Sequence, residues 1–356
     1  MPSVTKNFDD LFEQVVKNGA SDLHISVGRN PTIRIDGQLV PLSSFDAVTS
    51  QDADSFIKKI VPEADQERFI KEKELDLSYM FQDVVRFRVN VFHERGSPAA
   101  ALRVIPTKIR TFEELNLPAD IFKEFSSKQQ GFFLVVGPTG HGKSTTLAAM
   151  VDYMNHMRAD HIITIEDPIE YLFTSDKSLI VQREVGVDTF EFHKALRSMF
   201  REDVDVAMIG EMRDPETIAT AVTAAETGHY VLSTLHTNNA AQTVDRIIDS
   251  FPAGQQPQIR AQLAATLVGI VSQRLVPRIS GGLMPAIEIL IATSAVRTVV
   301  RENKVHEIEM LIETGLEYGM VSLNRSLADM VKRGDISVET AVLYSLRPEE
   351  LQVLLR

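Results

Sequence analysis

Cysteine is absent from all 356 residues, which excludes disulfide staples and cysteine-ligated zinc. No apolar run approaches the ~18 residues that a membrane-spanning helix needs. The opening Met1-Pro2-Ser3-Val4-Thr5-Lys6 carries no apolar signal region, so the expected compartment is the cytoplasm. Basic residues are outnumbered, 37 against 49 acidic, giving a net charge of −12. That balance argues against nucleic acid as the main partner. Internal repeats, low-complexity tracts and long polar tails are also missing. What remains is 44% hydrophobic and 24% charged, an ordinary globular composition of a length that suggests two domains.

Hydrophobic periodicity divides the chain. Phe8, Leu11, Phe12, Val15 and Val16 predict an amphipathic helix ending at Gly19. An alternating strand is expected at 22–27 and a hairpin over 32–40 turning at Asp36-Gly37. A helix is expected over 52–72, then strands at 75–81, 85–92 and 99–105. Residues 1–105 therefore read as an α+β domain, and 106–118, with proline at both ends, as a linker and hinge. From 119 to 356 the pattern changes. Strand-like runs at 132–136, 161–166, 205–209 and 230–234 alternate with helical stretches, the signature of a parallel sheet. After a strand at 285–291 the remainder reads as helical.

The most informative segment is Gly137-Pro138-Thr139-Gly140-His141-Gly142-Lys143-Ser144-Thr145. It follows a buried-strand pattern and opens a helical one, the setting of a phosphate-cradling loop. Glycines let the backbone wrap a polyphosphate so that N–H groups point at it from a helix N-terminus. Lys143 would reach the β- and γ-phosphates and Ser144 would hold Mg²⁺, which makes ATP with Mg²⁺ the expected ligand.

Hydrolysis needs a carboxylate near the metal and a group to orient water. The strand Asp205-Val206-Ala207-Met208-Ile209 runs into Gly210-Glu211, placing Glu211 as a metal-site acid. The strand Ile163-Thr164-Ile165 ends in Glu166-Asp167-Pro168-Ile169-Glu170. Its end is the edge where open α/β sheets bind ligands. Glu166 is the candidate for polarising the water and Glu170 a candidate supporting acid; a solvated acidic loop is the alternative. His229 and His236 bracket a strand at a spacing unsuited to a shared metal. His236 could sense the γ-phosphate or be structural. In the first domain Arg86 and Arg88 share one strand face, with Arg95 and Arg103 nearby. They form either a solvated sheet face or arginine fingers offered across a subunit boundary.

Six ordered motifs together resemble the secretion ATPases that drive type IV pili and type II secretion. These are Ala20-Ser21-Asp22-Leu23-His24, Arg86-Phe87-Arg88-Val89-Asn90, the phosphate loop, Ile165 to Glu170, Ile209-Gly210-Glu211-Met212-Arg213-Asp214, and Thr223 through Thr237. The resemblance is strongest to the pilus-retraction branch. Extension and type II relatives usually carry a longer N-terminal region and a four-cysteine metal motif. One departure lies in Ala295-Val296-Arg297-Thr298-Val299-Val300-Arg301-Glu302, where the retraction branch typically has Ala-Ile-Arg-Asn-Leu-Ile-Arg-Glu.

The resemblance implies a PAS-like α+β domain followed by a RecA-like P-loop ATPase domain with a helical C-terminal part, assembled as a homo-hexamer. It implies ATP hydrolysis powering pilus retraction and twitching motility. Glu166 becomes the catalytic glutamate, Glu211 the Walker B acid, Arg88 and Arg103 the phosphate-contacting arginines, and His229 and His236 residues coupling nucleotide state to shape. The implied partner is the inner-membrane pilus platform protein, met at the cytoplasmic face of the membrane, with no direct nucleic-acid partner.

Overall fold

The computed structural model describes residues 8–35, 37–82, 84–106 and 108–356. Asp36 of the expected hairpin turn and Thr107 of the expected linker lie outside the described residues. The chain forms two compact units. The first takes the residues up to Lys108 together with Glu170–Leu172, and the second takes Ile109–Ile169 and Phe173–Arg356.

In the first unit, α1 (Phe8–Lys17) buries Leu11, Phe12 and Val15 on one face. Then come β1 (Asp22–Ile25), β2 (Thr32–Ile35) and β3 (Gln38–Pro41). The single helix expected over 52–72 is two helices, α2 (Ser50–Ile60) and α3 (Glu63–Glu72). The break falls at Val61-Pro62, because proline excludes the helical conformation from the residue before it. Thr49 starts α2 through a capping box with Asp52. β4 (Glu74–Phe81), β5 (Val85–Glu94) and β6 (Ser97–Ile105) complete an antiparallel sheet of order β3-β2-β1-β6-β5-β4. On β5, Val85, Phe87, Val89 and Val91 point into the core, while Arg86, Arg88 and Asn90 alternate outward. Phe12 stacks against Phe56, Tyr79, Phe81 and Phe87 at the centre of that core.

The second unit begins inside the segment expected as a linker. Phe112 and Leu117 are buried with Phe133 and Met150, so these two residues anchor the segment to the second unit's core. After α4 (Ala119–Ser126), strands and helices alternate: β7 (Gly131–Val136), α5 (Lys143–Met157), β8 (His161–Glu166), β9 (Leu179–Glu184), α6 (Phe192–Met199), β10 (Val206–Ile209), α7 (Pro215–Glu226), β11 (Tyr230–Leu235), α8 (Ala240–Asp249), α9 (Gln256–Thr266), β12 (Leu267–Pro277) and β13 (Leu283–Ile291). The sheet order is β13-β12-β7-β11-β10-β8-β9, parallel except for the β12–β13 pair. β7, β10 and β11 are buried along their whole length, as expected of strands covered on both faces. Phe132 and Leu134 pack into one layer and Phe133 and Val135 into the other. The chain ends in α10 (Ser294–Arg301), α11 (Ile308–Thr314), α12 (Leu323–Lys332), α13 (Val338–Tyr344) and α14 (Pro348–Leu354).

Candidate functional site

Strand register fixes the site. Leu134 of β7, Ser233 of β11, Ile209 of β10 and Ile165 of β8 stand in one row across the sheet. One residue beyond that row is Glu166, two beyond is Glu211, and three beyond are Gly137 and His236. All four strands are parallel, so these residues gather at one edge, where the loops leave the strand C-termini.

The loop from β7 to α5 needs its glycines. Gly137 has φ +146°, and a Cβ there would fall 2.3 Å from the carbonyl oxygen of Gln273. Gly142 is left-handed at the start of α5, and a Cβ there would meet the Gln273 side chain at 2.9 Å. Lys143 is buried. Its ammonium donates to the carbonyls of Gly137 at 2.9 Å and Pro138 at 3.0 Å, and stands 3.3 Å from His236 Nδ1. His236 Nε2 faces Glu211 Oε2 at 3.3 Å, so the imidazole joins the loop lysine to the acid after β10. The tautomer with the proton on Nε2 suits this arrangement, Nδ1 accepting from the ammonium and Nε2–H donating to the carboxylate. Glu211 also pairs with Arg213.

Glu166 is 5% exposed, and its Oε1 accepts from the Thr164 hydroxyl at 2.7 Å and from Gln182 Nε2 at 3.3 Å. Ser144, on the first turn of α5, is half-buried. A hydroxyl and a carboxylate, completed by phosphate oxygens and water, are a donor set suited to Mg²⁺.

Other expected residues lie elsewhere. His229 precedes β11, at the opposite end of the strand from His236, and packs on Phe200 with Nδ1 3.0 Å from the Ala224 carbonyl. Glu170, the candidate supporting acid, is exposed. The segment after Glu166 is anchored by Glu184 of β9, which accepts from the Ile169 amide at 3.1 Å. In the first unit Arg88 and Arg103 are directly opposite on β5 and β6. Arg103 Nε donates to Asp22 at 2.9 Å, and burial of Asp22 is outweighed by its hydrogen bonds, from Ser21 and Arg103, leaving its pKa lowered. Arg88 is exposed and makes no ion pair among the described residues.

Gln273, Gln182 and the segment from Arg110 to Leu117 escaped the sequence reading. Gln273 sits on β12, donates to the His141 carbonyl at 2.8 Å and accepts from the Thr146 hydroxyl at 2.8 Å. His141 Nδ1 accepts from the Leu275 amide at 2.8 Å; burial first, then Arg274 and Lys143, lowers its pKa, so the ring stays neutral. A cavity of about 270 Å³ opens beside this brace, lined by Arg110, Leu117, Gly142, Thr145, Gln273 and Leu275 among others. The only signal in the sequence was the polar Ser272-Gln273-Arg274 interrupting an apolar run.

A glycine-cradled lysine at the head of a helix, with acids and a histidine from neighbouring parallel strands at one edge, defines a RecA-like P-loop nucleotide-binding protein. The comparisons narrow the class. The chain belongs to the Type II/IV secretion system protein family, whose profile it matches over residues 2–307. It is 46% identical over 340 residues to the type IV pilus retraction ATPase PilT of Pseudomonas aeruginosa, covering 96% of this chain and 98% of that one. It is 44% identical over 312 residues to a twitching motility protein of Neisseria gonorrhoeae, covering 87% and 83%. A crystal structure of the pilus retraction motor PilT with bound ADP superposes with a TM-score of 0.90 at 44% identity, covering 97% of this chain and 98% of that chain.

Proposed function

We propose that this chain is an ATP-hydrolysing motor subunit that powers type IV pilus retraction and twitching motility. The observation that carries the reading is the row formed by Lys143, His236 and Glu211, with Glu166 one strand further along the same edge.

In this reading the backbone amides from 137 to 145 and the ammonium of Lys143 bind the phosphates, the lysine exchanging carbonyl contacts for phosphate oxygens. Ser144 and Glu211 would hold Mg²⁺, which would supply positive charge to offset that of the phosphates. Glu166, oriented by Thr164 and Gln182, polarises water for in-line attack on the γ-phosphate. His236 reports the γ-phosphate to Glu211, because the ammonium it faces is the group that the phosphate engages. The cavity between Arg110 and Leu275 accepts the nucleoside. The first unit, a PAS-like arm, offers Arg88 and Arg103 to the phosphates. The protein works as a homo-hexamer, and closure of one domain on the other, favoured by nucleotide, turns the inner-membrane platform protein from the cytoplasmic face.

A second reading, an accessory retraction ATPase, rests on Thr298, where the retraction branch typically has Asn. Its hydroxyl donates to the Ser294 carbonyl at 2.9 Å within its own helix, so it lacks the outward N–H donors that an amide would offer.

Phosphate release tests the chemistry. Glu166→Gln should retain nucleotide binding and lose about a hundredfold or more in kcat, in line with removal of a general base. Turnover at the wild-type rate would remove Glu166 from this role.

A further inference from the structure

Far from the phosphate loop along the chain, a cavity of about 530 Å³ opens among β13, the start of α8 and the helices α11, α12 and α14. Its size is in the range of small-molecule sites. Its walls are apolar, supplied by Met310, Ile312, Leu323, Val353 and Leu354, while its charges are largely carboxylates: Glu288, Glu309, Glu313 and Glu350. Arg347 pairs with Glu309 and with Glu350, so those two are compensated. Glu288 and Glu313 make no ion pair among the described residues. Glu288 is only 8% exposed. One of its oxygens accepts from the Ala240 amide at 2.8 Å, and the other has no hydrogen-bond partner among the described residues. A largely buried carboxylate whose second oxygen opens onto a cavity offers an acceptor that a donor or a cation entering the cavity can meet.

We propose that this cavity binds a linear aliphatic diamine or polyamine, with an ammonium group donating to the free oxygen of Glu288, a second facing Glu313, and the methylene chain lying along Ile312 and Leu354. The chemistry selects this class over others. The carboxylates repel anions. No group of three or more histidine, aspartate or glutamate side chains among the described residues could hold a metal ion. The apolar walls between the carboxylates suit methylenes. Burial raises the Glu288 pKa to about 7, with Glu309 and Glu313 adding to the rise and Arg274 opposing it. Affinity should therefore fall as Glu288 takes up its proton. The other charged groups around the cavity are His306 before α11, and Arg347 and Glu350 at α14. This site is independent of the nucleotide reading.

The test is calorimetric titration of the full chain, free of nucleotide, with 1,4-diaminobutane and with spermidine. The uncharged 1,4-butanediol and magnesium chloride serve as the comparison probes. One saturable amine site per chain is expected, weaker at about pH 6 than at about pH 8. Glu288→Gln keeps an acceptor for Ala240 but removes the charge, and should weaken amine binding by about tenfold or more and reduce its pH dependence. Should Glu288→Gln fail to fold, the exposed Glu313→Gln carries the test, with a severalfold loss expected. Absent saturable binding, equal binding of the diol, displacement by magnesium at matching concentration, or unchanged affinity in both variants would each overturn the proposal.

Discussion

His236 is where the charges of the site meet. Its ring nitrogens face the ammonium of Lys143 and the carboxylate of Glu211, each at 3.3 Å. Removing it would leave two opposite charges without their bridge, so His236→Ala should lower kcat far more than it weakens nucleotide binding. Gln273 acts on the same loop by holding it in place. Gln273→Leu deletes two hydrogen bonds between β12 and the loop and should destabilise the protein by about 1–3 kcal/mol while raising KM for ATP. Both follow from unfolding midpoints and steady-state kinetics of the variants. Glu288 makes a further residue-scale prediction. Its carboxyl titrates near 7 in the folded protein against an ordinary value of 4.5. Between those values the folded state holds the proton that the unfolded chain has lost. Stability from this group is thus full below about pH 4.5 and is lost as pH rises through about 7, a change of up to about 3 kcal/mol. Urea unfolding of wild type and Glu288→Gln at several pH values should differ by that slope, and parallel curves would contradict it.

At the scale of elements, the phosphate loop, the acid-ended strands and the histidine strand were legible in the sequence. Each pairs an apolar run with polar residues at one end, and parallel strands bring such ends together. The helix break at Pro62 was missed because the apolar spacing continues across it. β9 was missed because edge strands carry polar residues such as Gln182, Arg183 and Glu184. β12 was missed because it follows α9 without a turn signal, Thr266 to Leu267. Those two omissions cost the sequence reading Gln182 and Gln273, which depend on register rather than on any local motif. α10 holds a second lesson. Arg297 turns inward and donates to the carbonyls of Ala264, Ala265 and Ala292, closing the C-terminal end of α9, and burial lowers its pKa. Arg301 and Glu302 stay exposed. The motif therefore divides into a structural arginine and a surface. Arg297→Ala should destabilise the second unit by about 2–4 kcal/mol, whereas Arg301→Ala should leave the unfolding midpoint within error. Equal losses in the two would refute that division.

At the scale of the whole molecule, a hydrolytic site on a rigid parallel sheet becomes a motor only if its nucleotide state moves something else. Each of the two compact units has a hydrophobic core of its own. Arg88 and Arg103, set opposite each other on the first unit's sheet, repel unless an anion or carboxylate joins them. Asp22 serves Arg103 in part, whereas Arg88 makes no ion pair among the described residues. The central claim, that hydrolysis at Glu166 drives pilus retraction, is tested most directly by imaging pili in the native host lacking this gene, complemented with wild type or with Glu166→Gln. Surplus, non-retracting pili rescued by wild type but not by the variant are the predicted result. Absence of pili in the deletion strain, or full rescue by Glu166→Gln, would contradict it.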